Sequence, residues 1–235
     1  MRWNPAHSFS RDAIVKDIRD INRRSWEKRQ KDAANRYRFA GRFEKAYHRL
    51  LHHRPQHWLD IGTGNGYLSS LTRPHLQDTT ITGIDFIKEI LPHAVDADHR
   101  LAVDIDRGSL PFASESFDYI TCLDVLEHLI LPDHAMEEIH RVLKPNGHSL
   151  FSVPNIQFIE YIFAFAKGKV PLPAADRRHM SVYTIKHISK KLEDKSLNVK
   201  YIAGCDSSPP WLSRISRRYL CKTILVETKK QDGEK

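Results

Sequence analysis

No run of about 18 consecutive apolar residues occurs in this chain, so nothing in it reads as a membrane-spanning helix. The first residues, Met1-Arg2-Trp3-Asn4-Pro5, lack an apolar core and a small-residue cleavage site, and an ordinary secretory signal is not expected. Cysteine is sparse. Cys122, Cys205 and Cys221 are odd in number, widely spaced and without a C-x-x-C pair. That argues against a disulfide framework or a cysteine zinc site and leads us to expect a cytoplasmic protein. Internal repeats and low-complexity tracts are missing as well.

What is present is an apolar fraction of 40%, enough for a buried core, on 235 residues, a length that suits one core with appendages. The net charge of +8 is unevenly spread. Residues 1–58 hold 15 Lys/Arg against 6 Asp/Glu, residues 59–155 hold 6 against 15, and residues 156–235 hold 16 against 8. Basic flanks about an acidic middle favour an anionic substrate, partner or surface through long-range attraction; a merely solvated exterior is the alternative.

Residues 10–52 carry a helical pattern, with Ser10 as N-cap and Ile14, Ile18 and Ile21 on one face. Gly41 interrupts it, so two helices are expected. The basic stretch from Arg23 to Lys31, with Trp26 inside it, reads either as a phosphate-contacting face or as an exposed helix surface. From His57 apolar strands alternate with helical stretches. Strands are expected at 58–61, 79–84, 101–103, 117–123 and 149–153, and helices at 67–73, 87–93 and 133–143, the last closed by the turn signal Lys144-Pro145-Asn146-Gly147. Such alternation predicts an α/β fold with a doubly wound parallel sheet. Beyond Pro154 the pattern changes to a very apolar segment at 156–166, read as a helix capping the substrate side or as a shallow membrane-surface contact. A helix at 185–194, strands at 197–203 and 222–228, and a basic amphipathic insertion at 210–219 complete the pattern.

The densest signal is His-Trp-Leu-Asp-Ile-Gly-Thr-Gly-Asn-Gly at 57–66, a short strand running into Gly62, Gly64 and Gly66. A dinucleotide fingerprint is G-x-G-x-x-G, whereas here the third glycine comes one residue early and Tyr67 takes its place. A carboxylate at Asp60 would repel a pyrophosphate and suits a ligand carrying an ammonium and a sulfonium. Asp85 ends the second expected strand, where it can accept from ribose hydroxyls, and Asp104 ends the third. Aspartate is otherwise depleted in strands, so three acids closing three successive ones mark a ligand edge.

With Leu110 to Ile120, Asp124-Val125-Leu126-Glu127-His128-Leu129, Arg141 to Gly147 and Val153-Pro154-Asn155, this succession resembles the class I S-adenosylmethionine-dependent methyltransferases. The likeness covers roughly residues 57–155 and is to the branch with ubiquinone-type O-methyltransferases and enzymes of cell-surface glycans. The resemblance implies a mostly parallel, seven-stranded Rossmann-like sheet with a C-terminal antiparallel strand. A basic helical extension would occupy 1–56 and the methyltransferase domain 57–235, with substrate-side insertions at 156–184 and 204–220. It assigns S-adenosylmethionine to Asp60, Gly62, Thr63, Gly64, Gly66, Asp85, Phe86, Asp104, Ile105 and Leu123, with Asp104 accepting from the adenine amino group.

The reaction implied is in-line methyl transfer, chiefly a matter of holding a nucleophile about 3–3.5 Å from the methyl carbon. Asp124, Glu127 and His128 are spaced i, i+3, i+4 and are expected on one helical face; His179 matches a later histidine of the branch. In relatives of this branch an acid-x-x-Glu-His group plus a later histidine binds a divalent metal. Glu127, His128 and His179 match that pattern, and Asp124 stands where those families carry Glu. Three readings stay open: a metal site, neutral His128 and His179 acting as acceptor-orienting or general-base groups, and a purely structural pair. His52, His53 and His75 sit in no such grouping and read as surface residues. O-methylation of a small, lipid-linked or glycan acceptor is the leading expectation. An RNA acceptor gripped by the basic flanks and a non-catalytic binding subunit are the alternatives.

Overall fold

A computed structural model describes residues 41–207 and 211–231, apart from the side chains of Leu212 and Ser213, within the unit Phe39–Lys235. The expected helix over 10–40, with its basic stretch, lies outside the described residues. The described residues open in the helix α1 (Gly41–His53). A seven-stranded sheet follows among the described residues, ordered β3-β2-β1-β4-β5-β7-β6. Its strands are β1 (His57–Ile61), β2 (Thr80–Asp85), β3 (His99–Ala102), β4 (Phe117–Leu123), β5 (Leu143–Pro154), β6 (Leu197–Cys205) and β7 (Thr223–Lys230). The first five pair in parallel, and β7 lies antiparallel between β5 and β6. The doubly wound sheet and its C-terminal antiparallel strand are both borne out.

Parallel strands need buried faces on both sides, and alternate side chains supply them. In β1, Trp58 packs with Ala46 and Leu50 of α1 and with Leu68 of α2 (Tyr67–Thr72), while Leu59 packs on the other face. That second face is covered by α3 (Pro132–Val142), through Met136 and Ile139, and by α6 (Ile185–Glu193), through Ile188 and Leu192. Thr184 caps α6, its hydroxyl accepting from the His187 amide at 3.1 Å. Between β5 and α6 come α4 (Ile159–Ala166) and α5 (Leu172–Ala175), and α7 (Leu212–Ile215) falls between β6 and β7. No helix among the described residues is long and apolar enough to cross a membrane.

Three local expectations are corrected. The helix expected at 87–93 is a 3₁₀ helix, Lys88–His93, because Pro92 inside it has no N–H for a longer ladder. The third strand is His99–Ala102 rather than 101–103, which leaves Asp104 two residues beyond the strand end instead of closing it. The turn signal at 144–147 does not separate α3 from a new strand. It is an irregularity inside β5, where Phe117 pairs with Leu143 and Tyr119 next with His148, and Asn146 takes φ +61°.

Candidate active site

All parallel strands point their carboxyl ends to one edge, and the chemistry-bearing residues collect there. Gly62 and Thr63 leave β1 with both amides donating to the Ile84 carbonyl, at 2.9 and 3.0 Å, which pins the loop to β2. Gly62, Gly64 and Gly66 adopt φ of 72°, 56° and 75°. A side chain at Gly62 would also place its Cβ 2.4 Å from Val125 Cγ2, so this loop and the turn after β4 approach each other only because position 62 is glycine.

Asp60 is 4% exposed and registers opposite Thr121 of β4. A hydrogen-bond chain reaches it from the core: the Trp58 indole donates to Thr121 Oγ1 at 2.8 Å, and that hydroxyl donates to Asp60 Oδ1 at 2.6 Å. Burial pushes the Asp60 carboxyl up to about 6 against these hydrogen bonds. Such a group is stabilised by a cationic ligand group. Asp85, the last residue of β2, is also raised by burial, although Oδ1 accepts from the Ile87 amide at 2.9 Å and Oδ2 from the Gly64 amide at 3.1 Å. Its carboxylate therefore shapes the glycine loop and keeps lone pairs for a ligand. Asp104 begins a turn, with Oδ1 accepting from the Asp106 amide at 3.1 Å. Thr63, Ile105 and Leu123 are buried beside these acids in sequence, and Phe86 is exposed.

The turn after β4 departs from the expected helical face. Asp124 has φ +53°, and only Leu126–His128 forms a single 3₁₀ turn, so Asp124, Glu127 and His128 do not line up on a helix. Asp124 instead accepts from Ser152 Oγ at 2.6 Å and pairs with Arg42 Nε of α1 at 2.7 Å. Arg42 also reaches Asp206, tying α1 to two loops at this edge.

Glu127, His128 and His179 do converge, with one ligand atom from each lying within 4.8 Å of the others. His179 arrives from a distant segment because the Glu127 carbonyl accepts from the amides of Met180 and Ser181, at 2.7 and 3.2 Å. Each imidazole is held through Nδ1, His128 by the Arg178 carbonyl at 3.0 Å and His179 by the Pro173 carbonyl at 2.8 Å. A carbonyl can only accept, so both Nδ1 atoms carry a proton, which leaves Nε2 as the nitrogen of each ring that can offer a lone pair. Burial lowers His128 to about 4, so it is neutral at physiological pH. Glu127 is 1% exposed, and its Oε2 has no hydrogen-bond partner among the described residues. Burial and the Asp124 charge hold its carboxyl well above the usual range, opposed by Arg42 and Arg178. The thiols of Cys122, Cys205 and Cys221 are all buried and raised by burial, which leaves none as a ready nucleophile.

Sequence reasoning missed a second polar cluster. His53 is no isolated surface residue: Nε2 lies 2.9 Å from Glu227 Oε1, and its ring centroid is 4.2 Å from that of His148. Arg49 also pairs with Glu227 and blocks a cation there, so the cluster reads as an anchor for α1 rather than a metal centre. The spacing of Arg49 and His53 on one helix face was visible; their partner, 178 residues beyond Arg49, was not.

Comparison with known proteins agrees with this geometry. The family described as "Methyltransferase domain" matches residues 26–201. Among curated relatives, the ubiquinone biosynthesis O-methyltransferase of Pseudomonas syringae pv. tomato is 30% identical over 162 residues, 64% of this chain and 68% of the relative. That of Photobacterium profundum is 26% identical over 182 residues, 71% and 76% respectively. Two solved structures share the fold. One is a putative methyltransferase in complex with the Haloferax volcanii Trm112 methyltransferase activator, with TM-score 0.65 and 19% identity over 88% of this chain and 97% of that one. The other is the 1,6-didemethyltoxoflavin-N1-methyltransferase of Burkholderia thailandensis with 1,6-didemethyltoxoflavin and S-adenosylhomocysteine bound, with TM-score 0.63 and 15% identity over 92% and 90%.

Proposed function

This chain belongs to the methyltransferase-domain family and is a class I S-adenosylmethionine-dependent methyltransferase, and from that premise we propose that it O-methylates a hydroxyl acceptor. The acceptor is a small, lipid-linked or glycan molecule, oriented by Glu127, His128 and His179. The observation that carries this reading is the convergence of Glu127, His128 and His179, one ligand atom of each within 4.8 Å of the others, with each imidazole held through its Nδ1.

We assign the cofactor to Asp60, Gly62, Thr63, Gly64, Gly66, Asp85, Phe86, Asp104, Ile105 and Leu123. The raised Asp60 carboxyl supports a role beside the ammonium group, Asp85 at the end of β2 a role at the ribose hydroxyls, and Asp104 one at the adenine amino group. The bound sulfonium supplies an already activated methyl group. The protein then has to place the acceptor oxygen in line and take its proton. As the new C–O bond forms and the C–S bond breaks, the hydroxyl proton passes to a neutral imidazole, which closes the charge balance. His179 is better suited to that role. Asp176 Oδ2, of a carboxyl that Arg178 holds ionised, lies 3.9 Å from its Nε2. His128, lowered to about 4, is too weak a base to keep the proton and orients the hydroxyl instead.

Glu127 Oε2, without a hydrogen-bond partner among the described residues, supports a second use of the same trio. One carboxylate and two imidazoles with carbonyl-bound Nδ1 atoms form a donor set that fits a divalent metal. Such an ion would grip the acceptor oxygen and lower its pKa. The acidic Asp124, engaged by Ser152 and Arg42, stays outside this set. Acceptor recognition falls to the basic segment 1–56 and the insertions at 156–184 and 204–220.

Transfer of labelled methyl from S-adenosylmethionine into size-fractionated extract tests the reading. Label in low-molecular-weight or lipid fractions supports it. Label confined to RNA, with activity falling steeply as salt rises, would replace it with the RNA reading. Loss of turnover in chelator, with donor affinity unchanged, supports the metal; full turnover ends that part.

A further inference from the structure

The helix α4 is apolar almost throughout, Ile-Glu-Tyr-Ile-Phe-Ala-Phe-Ala, yet none of its eight residues is buried. Phe163 is 59% exposed and Phe165 74%, and the exposed apolar surface continues through Val170 and Leu172. A folded chain hides such side chains unless another surface takes them. The Ile159 amide donates to the Tyr219 carbonyl at 2.8 Å, and Asn155 Nδ2 donates to the carbonyls of Arg218 and Cys221, both at 2.9 Å. These bonds bind the start of α4 to the basic segment between β6 and β7. Lys222 Nζ sits 5.5 Å from the Phe158 ring across the same junction.

Charge identifies the complement. Residues 156–175 and 211–222 together carry six Lys/Arg (Lys167, Lys169, Arg214, Arg217, Arg218 and Lys222) against one acid, Glu160. Aromatic and aliphatic side chains interleaved with cations match the boundary between acyl chains and anionic headgroups, where apolar groups insert and Lys/Arg stay at the phosphates. Eight helical residues span about 12 Å, too short to cross a bilayer and long enough to lie in its interface.

We propose that the surface formed by α4, the 167–172 segment and the 214–222 segment docks this protein on an anionic lipid bilayer, with α4 lying in the plane of the interface. The placement is functional. α4 leaves the carboxyl end of β5, and the basic segment leaves the same end of β6, so the docked face adjoins the edge that carries Asp60 and Asp85. A lipid-linked acceptor would then enter from the membrane side; only this last step rests on the functional reading above.

Co-sedimentation of the full chain with vesicles of phosphatidylglycerol in phosphatidylcholine tests the proposal without donor or acceptor, so its outcome is independent of the methyl-transfer reading. Binding is expected to the anionic vesicles and to fall about tenfold or more in pure phosphatidylcholine or in high salt. The Phe163→Ser/Phe165→Ser variant should lose at least about tenfold in vesicle affinity while its thermal midpoint and S-adenosylhomocysteine binding stay at wild-type values. Equal sedimentation of variant and wild type, or none with anionic vesicles, overturns the proposal. So does failure of a cysteine placed by Phe163→Cys to react with a water-soluble thiol reagent in the vesicle-free protein, which would show that another part of this chain or a second copy covers the helix.

Discussion

Replacing Glu227 by glutamine removes the one negative charge at the anchor of α1. Its side chain is fully buried and receives hydrogen bonds from Arg49 Nε at 3.1 Å, His53 Nε2 at 2.9 Å and the Tyr119 hydroxyl at 2.7 Å, with Arg49 Nη2 closing the pair. Burial alone would raise the carboxyl; the bonds from His53, Arg49 and Tyr119 outweigh it and hold it at about 2, against 4.5 for the free group. A depressed carboxyl stabilises the folded state above its unfolded pKa, and the stabilisation fades as pH falls towards the folded one. The difference of 2.5 units, at about 1.36 kcal/mol each, amounts to about 3 kcal/mol at pH 7. By pH 3.5 it has shrunk to about 2 kcal/mol. Urea unfolding of wild type and Glu227→Gln at both pH values checks this. The wild-type advantage should be near 3 kcal/mol at pH 7 and smaller at pH 3.5. An advantage below about 1 kcal/mol, or one that does not change with pH, would refute the reasoning.

Three further perturbations probe the site itself. Gly62→Ala places a Cβ 2.4 Å from Val125 Cγ2 at φ +72°, and it should cost about 2 kcal/mol or more in stability and at least about tenfold in S-adenosylhomocysteine affinity by calorimetry. His179→Gln keeps a polar side chain but no basic nitrogen, so kcat is expected to fall about 10²-fold or more with cofactor affinity unchanged; an equal loss of cofactor affinity would mean a structural role. Arg42→Ala leaves Asp124 and Asp206 without their shared guanidinium. A loss of about 1 kcal/mol and a lowered kcat are expected, measured by thermal unfolding and single-turnover transfer.

The parts of this fold that were legible in the sequence are those written locally. Asp60, the glycine loop and Asp85 lie within one strand-loop-helix-strand unit, where period and spacing suffice. Boundaries failed where a single residue decided the backbone: Pro92 shortened a helix to 3₁₀, and Asp124 at φ +53° broke the helical face expected to carry Glu127 and His128. The meeting of His179 with His128 followed from family resemblance and not from pattern, since it depends on Glu127 accepting backbone amides from 180 and 181. Glu227 gave no signal at all. Its partners Arg49 and His53 come from the start of the described chain, and only the pairing of β7 between β5 and β6 brings them together. The apolar segment at 156–166 was legible as a helix, whereas the exposure of Phe163 and Phe165 on it is a tertiary fact.

The central claim is that Asp60, Asp85 and the glycine loop hold the methyl donor at the carboxyl edge of the sheet. Thermal unfolding with saturating S-adenosylhomocysteine tests it most directly, in wild type and in Asp85→Ala, each against its own ligand-free midpoint. At about 100 times Kd the ligand should stabilise wild type by about 2.7 kcal/mol, a rise of roughly 5 °C or more, and Asp85→Ala should lose most of that rise. No rise in wild type, or an equal rise in both proteins, would contradict the account.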